Sequence, residues 1–211
     1  MREEMTDKTM ARRELITARS LLSGEEAREA EAALAGRALG LPELVNARTV
    51  AAYVSVGREP GTRALLDALR ARGVRVLLPV LRADDDLDWA VYEGPGHLVP
   101  AKRGLLEPDG KRLGVDAVLD AEAVLLPGLA VDGRGMRLGR GGGSYDRVLG
   151  RLEAAGATPA LAVLLYDHEV VERVPEEPHD RPVRAVVTPA GVRRFGGYPE
   201  APGEPEGLER P

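Results

Sequence analysis

Six short apolar runs between Thr49 and Thr188 constrain this chain more than any other feature of its sequence. They are TVAAYV (49–54), VRVLLP (74–79), LDWAVY (87–92), AVLLP (123–127), ALAVLL (160–165) and VRAVVT (183–188). Most are continuously apolar, which is the pattern of strands covered on both faces. Helical segments fall between them, at Arg63–Arg72, stopped by Gly73, and at Tyr145–Ala155, stopped by Gly156. The alternation predicts an α/β fold: a three-layer α/β/α sandwich with a mainly parallel sheet. LDWAVY alternates more than the others and is expected at an edge or in antiparallel pairing. The Gly- and Pro-rich segment Glu93–Leu113 reads as loop.

Two helices precede the first strand and are expected to pack alongside the sandwich. From Asp7 to Leu22, Ala11, Leu15, Ala18 and Leu22 form one apolar stripe, while Lys8, Arg12 and Arg19 share another face. Ser23 and Glu26 stand at capping-box spacing and open a second helix that runs to about Gly40. Residues 1–195 read as a single domain. The segment 196–211, GGYPEAPGEPEGLERP, has the composition of a disordered tail.

Composition narrows the partners. A net charge of −5 argues against binding nucleic acid through bulk electrostatics. The absence of cysteine excludes disulfides, thiolate nucleophiles and cysteine-ligated zinc. No apolar run approaches the roughly 20 residues of a spanning helix, and MREEMTDKTMARRE lacks the apolar centre of a signal peptide. A soluble cytoplasmic protein, monomeric and without a membrane or nucleic-acid partner, is expected.

The chemistry concentrates in GRGMRLGRGGGSYD, residues 133–146. Six glycines and the arginines Arg134, Arg137 and Arg140 crowd this stretch, with no acid before Asp146. Exposed backbone N–H groups, guanidinium forks and the start of a helix together suit a phosphate. The stretch lacks the GK[ST] ending of a Walker loop, and Ser144 occupies the last glycine position of G-x-G-x-x-G. Ser144 is the expected N-cap of the following helix. Asp146, in its first turn, is either a helix-dipole acid or a Mg²⁺ ligand beside polyphosphate. Lys8 and Arg12, one turn apart, either reach one anion or form a solvated face. Glu59, after the first strand, is a turn acid or a carboxylate that accepts hydrogen bonds from a polar substrate. Tyr166-Asp-His-Glu169 reads as solvated. In Glu176-Glu-Pro-His-Asp180, prolines 178 and 182 stiffen a loop that brings Asp180 toward the strand ends where Asp146 lies; His179 reads as a surface or structural histidine. The residues alone indicate a nucleotide- or phosphate-handling α/β enzyme.

Taken in order, these segments resemble the 5-formyltetrahydrofolate cyclo-ligase family, also called 5,10-methenyltetrahydrofolate synthetases. PGLAVDGRGMRLGRGGGSYDR is similar to that family's PGxAFD…G.RLGxGxGYYDR signature. Leu21–Ser23, GLLEP (Gly104–Pro108) and EPHDRPV (Glu177–Val183) support the likeness. The resemblance implies ATP- and Mg²⁺-dependent closure of 5-formyltetrahydrofolate to 5,10-methenyltetrahydrofolate, through phosphorylation of the formyl oxygen and attack by N10. It implies ATP contacts from Lys8, Arg12 and the loop Arg137, Leu138, Gly139, Arg140, Gly141, Gly142, Gly143, Ser144 and Tyr145, with Arg137 and Arg140 catalytic. Val54, Glu59 and the segment Arg140 to Ser144 would face the folate, and Asp146 and Asp180 would hold Mg²⁺. Trp89 is either a pterin or a core contact. Ser144 stands where the family pattern has tyrosine, and Arg184 where an acid often follows PV. A small-molecule kinase and a non-catalytic nucleotide- or folate-binding relative are the competing readings.

Overall fold

In the computed structural model, residues 2–177 and 180–196 are described. Of the tail expected over 196–211, only Gly196 is among them; residues 197–211, with Pro178 and His179, lie outside them. The chain opens with helices α1 (Arg2–Ser20), α2 (Gly24–Leu39) and α3 (Pro42–Val45). Strand β1 (Thr49–Ala51), helix α4 (Arg63–Ala71), β2 (Arg75–Leu81) and β3 (Leu87–Val91) follow. A hairpin, β4 (Leu98–Pro100) and β5 (Leu106–Pro108), precedes β6 (Ala123–Pro127), β7 (Ala130–Asp132) and β8 (Arg137–Leu138). Helix α5 (Ser144–Ala154), β9 (Ala160–Leu164), β10 (Val170–Val171), β11 (Ala185–Val187) and β12 (Val192–Arg194) complete the order.

Seven strands form one sheet in the order β12-β11-β9-β6-β1-β2-β3. The five inner strands run parallel, and β3 and β12 close the two edges antiparallel. Neighbouring residues on each inner strand enter different cores. Val50, Leu78, Leu125, Leu164 and Val187 face the layer of α2 and α4, whereas Ala51, Leu77, Leu126, Val163 and Val186 face the layer of α5. Both faces are therefore covered, which accounts for the continuous apolar runs. All six expected strands are present: β6 has the expected bounds, β2 runs two residues further, and the other four are shorter. LDWAVY became the antiparallel edge strand β3. Its Trp89 is fully buried beside Val148, Leu149 and Leu152 of α5, and is a core residue.

The differences from the expectation have local causes. The 93–113 segment contains the β4–β5 hairpin. β12 follows the Thr188–Gly191 turn and pairs with β11. Ser23 and Glu26 do close a capping box on α2. Thr62 occupies the N-cap position of α4, but its hydroxyl donates to the Tyr53 carbonyl, and the Glu31 carboxylate accepts from the Ala64 N–H instead. None of the described helices is long and apolar enough to cross a membrane.

Helix α1 docks through charge as well as through its apolar stripe. Ala11 and Leu15 pack against Ala130, Leu138 and Val174. Arg19 is buried deeper than either, 2% exposed, and donates to both oxygens of the fully buried Glu169 at 2.6 and 2.9 Å and to the Gly128 carbonyl. This corrects the solvated reading for Tyr166 and Glu169, whereas Asp167 and His168, on the tight turn between them, are exposed as expected. Removing one partner of such a pair leaves a buried charge uncompensated. Arg19→Met should therefore lose about 3–5 kcal/mol of unfolding free energy in urea, with part regained when Glu169→Gln is added. A loss below about 1 kcal/mol would contradict the buried pair.

Candidate active site

The sheet order reverses beside β1: the chain leaves β1 for β2 on one side, and β6 later enters on the other. The segments after β1 and β6 diverge there and leave a crevice at the carboxyl ends of the strands. A cavity of about 370 Å³ occupies it. Its lining brings together most of the residues singled out in the sequence: Val54, Glu59, Arg137, and residues 139–146 of the loop and first turn of α5.

The loop after β1 is fastened by its own polar groups. The Ser55 N–H donates to the Thr62 hydroxyl at 2.9 Å, and the Val56 N–H donates to Glu59 at 2.9 Å. The Glu59 side chain, only 7% exposed, uses its other oxygen to meet Arg140 Nε at 3.1 Å. This ion pair spans the cavity from the β1 loop to the glycine loop. Tyr53 and Tyr145 lie close by. Burial first, and then the Glu59 charge, push both phenols above their ordinary range, so both remain protonated at neutral pH.

The glycine-rich stretch divides into two parts. Its first half is the turn of the β7–β8 hairpin, organised by the fully buried Asp132. That carboxylate accepts from the N–H groups of Arg134, Met136 and Val174 and from the Arg134 guanidinium. Arg134 also pairs with Glu176, so the first of the three arginines is structural. The second half, 139–143, is the loop at the cavity. Gly141 has φ +92°, and a Cβ there would stand 3.1 Å from Arg12 Cζ. Only glycine permits both the conformation and the close approach of Arg12. Arg12 also donates to the Gly139 carbonyl at 2.9 Å, gripping the loop from the α1 side.

Helix α5 starts differently from the expectation. Its N-cap is Gly143, in the left-handed region with φ 72°, and Ser144 is already the first helical residue without a capping bond. A left-handed residue lets the loop turn sharply into the helix, so no side-chain cap forms. Asp146 stays in the first turn.

Arg137 is nearly buried. It donates to the Pro127 carbonyl at 3.0 Å and to Asp146 at 3.1 Å, and its buried Nε has no hydrogen-bond partner. Burial lowers its hold on its proton, against the opposing charges of Asp146 and Asp180. Lys8 reaches Glu177 and Asp180, each at 2.9 Å. Burial opposes its charge, yet these two acids raise its pKa. Lys8 and Asp180 thus stand together, outside the cavity lining. Leu138 is turned away too, into the small core under α1. No group of three or more His, Cys, Asp or Glu side chains among the described residues is placed to hold a metal by itself. The site also draws on residues that the sequence reading passed over: Arg103, Leu105, Leu106 and Glu107 of the β4–β5 hairpin form one wall. The GLLEP segment was the signal for them.

Residues 4–189 match the family described as the 5-formyltetrahydrofolate cyclo-ligase family. A Mycolicibacterium smegmatis protein named 5-formyltetrahydrofolate cyclo-ligase is 46% identical over 171 residues, covering 78% of this chain and 85% of its own. The Escherichia coli protein of that name is 35% identical over 179 residues, covering 82% and 96%. Among solved structures, the Aquifex aeolicus 5,10-methenyltetrahydrofolate synthetase superposes with a TM-score of 0.77 at 27% identity, over 94% of this chain and 97% of that one.

Asp132 gives the hairpin a defined pH response. Burial alone would raise its carboxyl, but hydrogen bonds from Arg134 and three backbone N–H groups outweigh that and hold it below its ordinary range. Its stabilisation is present above the unfolded carboxyl pKa of about 3.9 and is lost as pH falls through the folded value. Asp132→Asn should cost about 2–3 kcal/mol at pH 7, and the gap to wild type should close in acid below about pH 4. A gap independent of pH, measured by urea unfolding, would show that the charge of Asp132 contributes nothing.

Proposed function

Because the chain belongs to the 5-formyltetrahydrofolate cyclo-ligase family, a family of ligases, we propose that it converts 5-formyltetrahydrofolate to 5,10-methenyltetrahydrofolate with ATP and Mg²⁺, as a cytoplasmic monomer. The reading rests above all on one arrangement: a single cavity bordered both by the 139–143 loop and by the Val54–Glu59 loop. One border suits phosphate and the other a polar heterocycle.

The γ-phosphoryl group passes to the formyl oxygen on N5 and ADP departs. N10 then attacks the activated formyl carbon, and loss of phosphate leaves the N5–C–N10 ring. Such transfers need positioning and charge neutralisation more than a covalent catalyst. The backbone N–H groups of residues 139–143 and the N-terminus of α5 face the transferring phosphate. Arg140 lies between the two ligands and leaves Glu59 for the phosphoryl oxygens as charge builds there. Glu59 accepts N–H groups of the pterin and orients it. Arg137 fixes Asp146 and the end of β6, and its unpartnered Nε fits a polar ligand atom at the cavity wall. Arg12 holds the loop in shape, and Lys8 orders the acidic segment around Asp180.

The donors present suit Mg²⁺. Asp146 is about one-third exposed beside the loop, and only one of its oxygens is bonded to Arg137. Asp180 stands near enough to influence Arg137. Mg²⁺ commonly takes one or two carboxylates and completes its shell with water and phosphate. Bound there, it would neutralise charge on the transferring phosphate.

Wild-type protein mixed with 5-formyltetrahydrofolate, ATP and Mg²⁺ should generate the methenyl chromophore, with none when either ATP or Mg²⁺ is omitted. ADP released without the chromophore would indicate a kinase with another acceptor. Folate binding without turnover would indicate a non-catalytic relative. Asp146→Asn should lower kcat about tenfold or more, partly restored at raised Mg²⁺, since an amide oxygen is a weaker ligand for a hard cation. Gly141→Ala should raise the KM for ATP severalfold by displacing Arg12 and the loop; an unchanged KM would remove that loop from the nucleotide site.

A further inference from the structure

Helix α4 starts at the end of the β1 loop without a cap of its own. Thr62 holds its N-cap position but makes no capping bond, and its first turn carries no acid. A helix start leaves backbone N–H groups unpaired and gathers partial positive charge, which a carboxylate offsets. Here the carboxylate comes from α2. Glu31, 33 residues before Ala64, accepts from its N–H at 3.2 Å. Ala64 is the second residue of α4, where a side-chain cap would act. The same glutamate lies against Gly61. A Cβ on Gly61 would overlap the Glu31 Cδ and stand 2.5 Å from its Oε2 and 2.7 Å from its Cβ. Carbon atoms pack at about 3.5–4.0 Å, and swinging the carboxylate aside would leave the Glu31 Cβ in the way. Gly61 is not one of the glycines with positive φ. Close approach, rather than backbone conformation, is what requires glycine there.

The contact bears on the site through the chain itself. Gly61 stands two residues after Glu59, and the Pro60 between them is buried. Proline fixes its own φ and restricts the residue before it, so a shift at Gly61 is passed on to Glu59 rather than absorbed. Within the loop, Ser55 and Thr62 exchange hydrogen bonds, and the Val56 N–H donates to Glu59. These bonds make residues 54–62 move as one body, and Glu31 joins that body to α2. The base is firm, because Leu34, Ala35 and Ala38 of α2 share a core with Leu65, Leu66 and Leu69 of α4. Neither Glu31 nor Gly61 lines the cavity. Any effect of theirs on a ligand passes through the loop.

We propose that Glu31 and Gly61 are positioning residues for the folate side of the site. Glu31, seated where a side chain at position 61 would lie, sets where Glu59 presents its carboxylate to the pterin. The inference rests on the folate-ligase reading and adds residues to it that touch neither ligand. The nucleotide side has its own anchor, Arg12 on the Gly139 carbonyl, so a disturbance at Glu31 falls on folate alone.

The full chain and its variants can be titrated separately with 5-formyltetrahydrofolate and with ATP and Mg²⁺, with melting temperatures measured alongside. Gly61→Ala and Glu31→Ala should each weaken folate binding about five- to tenfold, the loss of one well-placed charged hydrogen bond, and leave the ATP Kd unchanged. Glu31→Gln should stay within about twofold of wild type, because an amide oxygen still accepts the Ala64 N–H. The Glu31→Ala and Gly61→Ala double variant should bind folate no more weakly than the worse single one, since both changes break one contact. Glu31→Ala removes atoms rather than adding them, so it decides the matter if Gly61→Ala does not fold. A lowered melting temperature with an unchanged folate Kd would make Glu31 a stability contact only and overturn the proposal. Equal losses for both ligands would overturn it as well. A wild type that turns folate over while Glu31→Ala binds it normally defeats this inference alone; a wild type that binds no folate defeats the functional reading with it.

Discussion

The buried pairing of Arg19 with Glu169 governs how the first helix meets the rest of the molecule. Desolvating two charges is costly, and mutual attraction offsets that cost only when the geometry is good and remaining polar atoms are satisfied. Here Arg19 engages both carboxylate oxygens and the Gly128 carbonyl, and Glu169 also accepts the Tyr166 N–H, so that of these groups only the buried Arg19 Nη1 lacks a partner. Tyr166 in turn lies under the guanidinium, 6.0 Å from its ring centre, and its hydroxyl approaches the Glu59 carbonyl at 3.4 Å. An apolar contact would tolerate a helix sliding or rotating. A forked ionic contact does not. With α1 fixed in register, Arg12 and Lys8 arrive two and three turns earlier on the same side, at Gly139 and Asp180.

The sheet supplies the second fixed frame. Parallel strands covered on both faces leave backbone ends free at one rim, and the reversal of strand order beside β1 keeps the neighbouring loops apart. Glu59 and Arg140 approach each other across that gap from segments about eighty residues apart in the chain. The first loop is tied internally through Thr62, and the second is gripped by Arg12 at the Gly139 carbonyl. The cavity is therefore bounded by short, braced loops rather than by a long lid, which suits a reaction that depends on placing two ligands accurately.

Periodicity made much of this legible. Continuous apolar runs identified the parallel strands because burial on both faces leaves no polar positions. The capping box at Ser23 and Glu26 was legible for a similar reason: its partners are three residues apart. Glu169 was not, since its partner lies 150 residues away and a tight turn of mixed polar residues resembles a solvated one. Ser144 was assigned the cap because serine suits it, yet the left-handed Gly143 took the position. Thr62 occupies the N-cap position of α4, but spends its hydroxyl on Tyr53, a contact that no local rule encodes. The glycine loop was evident from composition. Its division into a hairpin turn and a ligand-facing half was not, because the dividing interactions run through Asp132 to Val174.

Lys8 and Asp180 are separated by 172 residues, and Arg19 and Glu169 by 150. During synthesis the first helix leaves the ribosome long before any of its partners exists. A helix with a broad apolar face would spend that interval exposed to aggregation. This one keeps much of its docking capacity in side chains that water solvates well until their acids arrive. A nascent or truncated product lacking the Asp180 region therefore leaves Lys8 without that partner and the basic surround of the glycine loop incomplete.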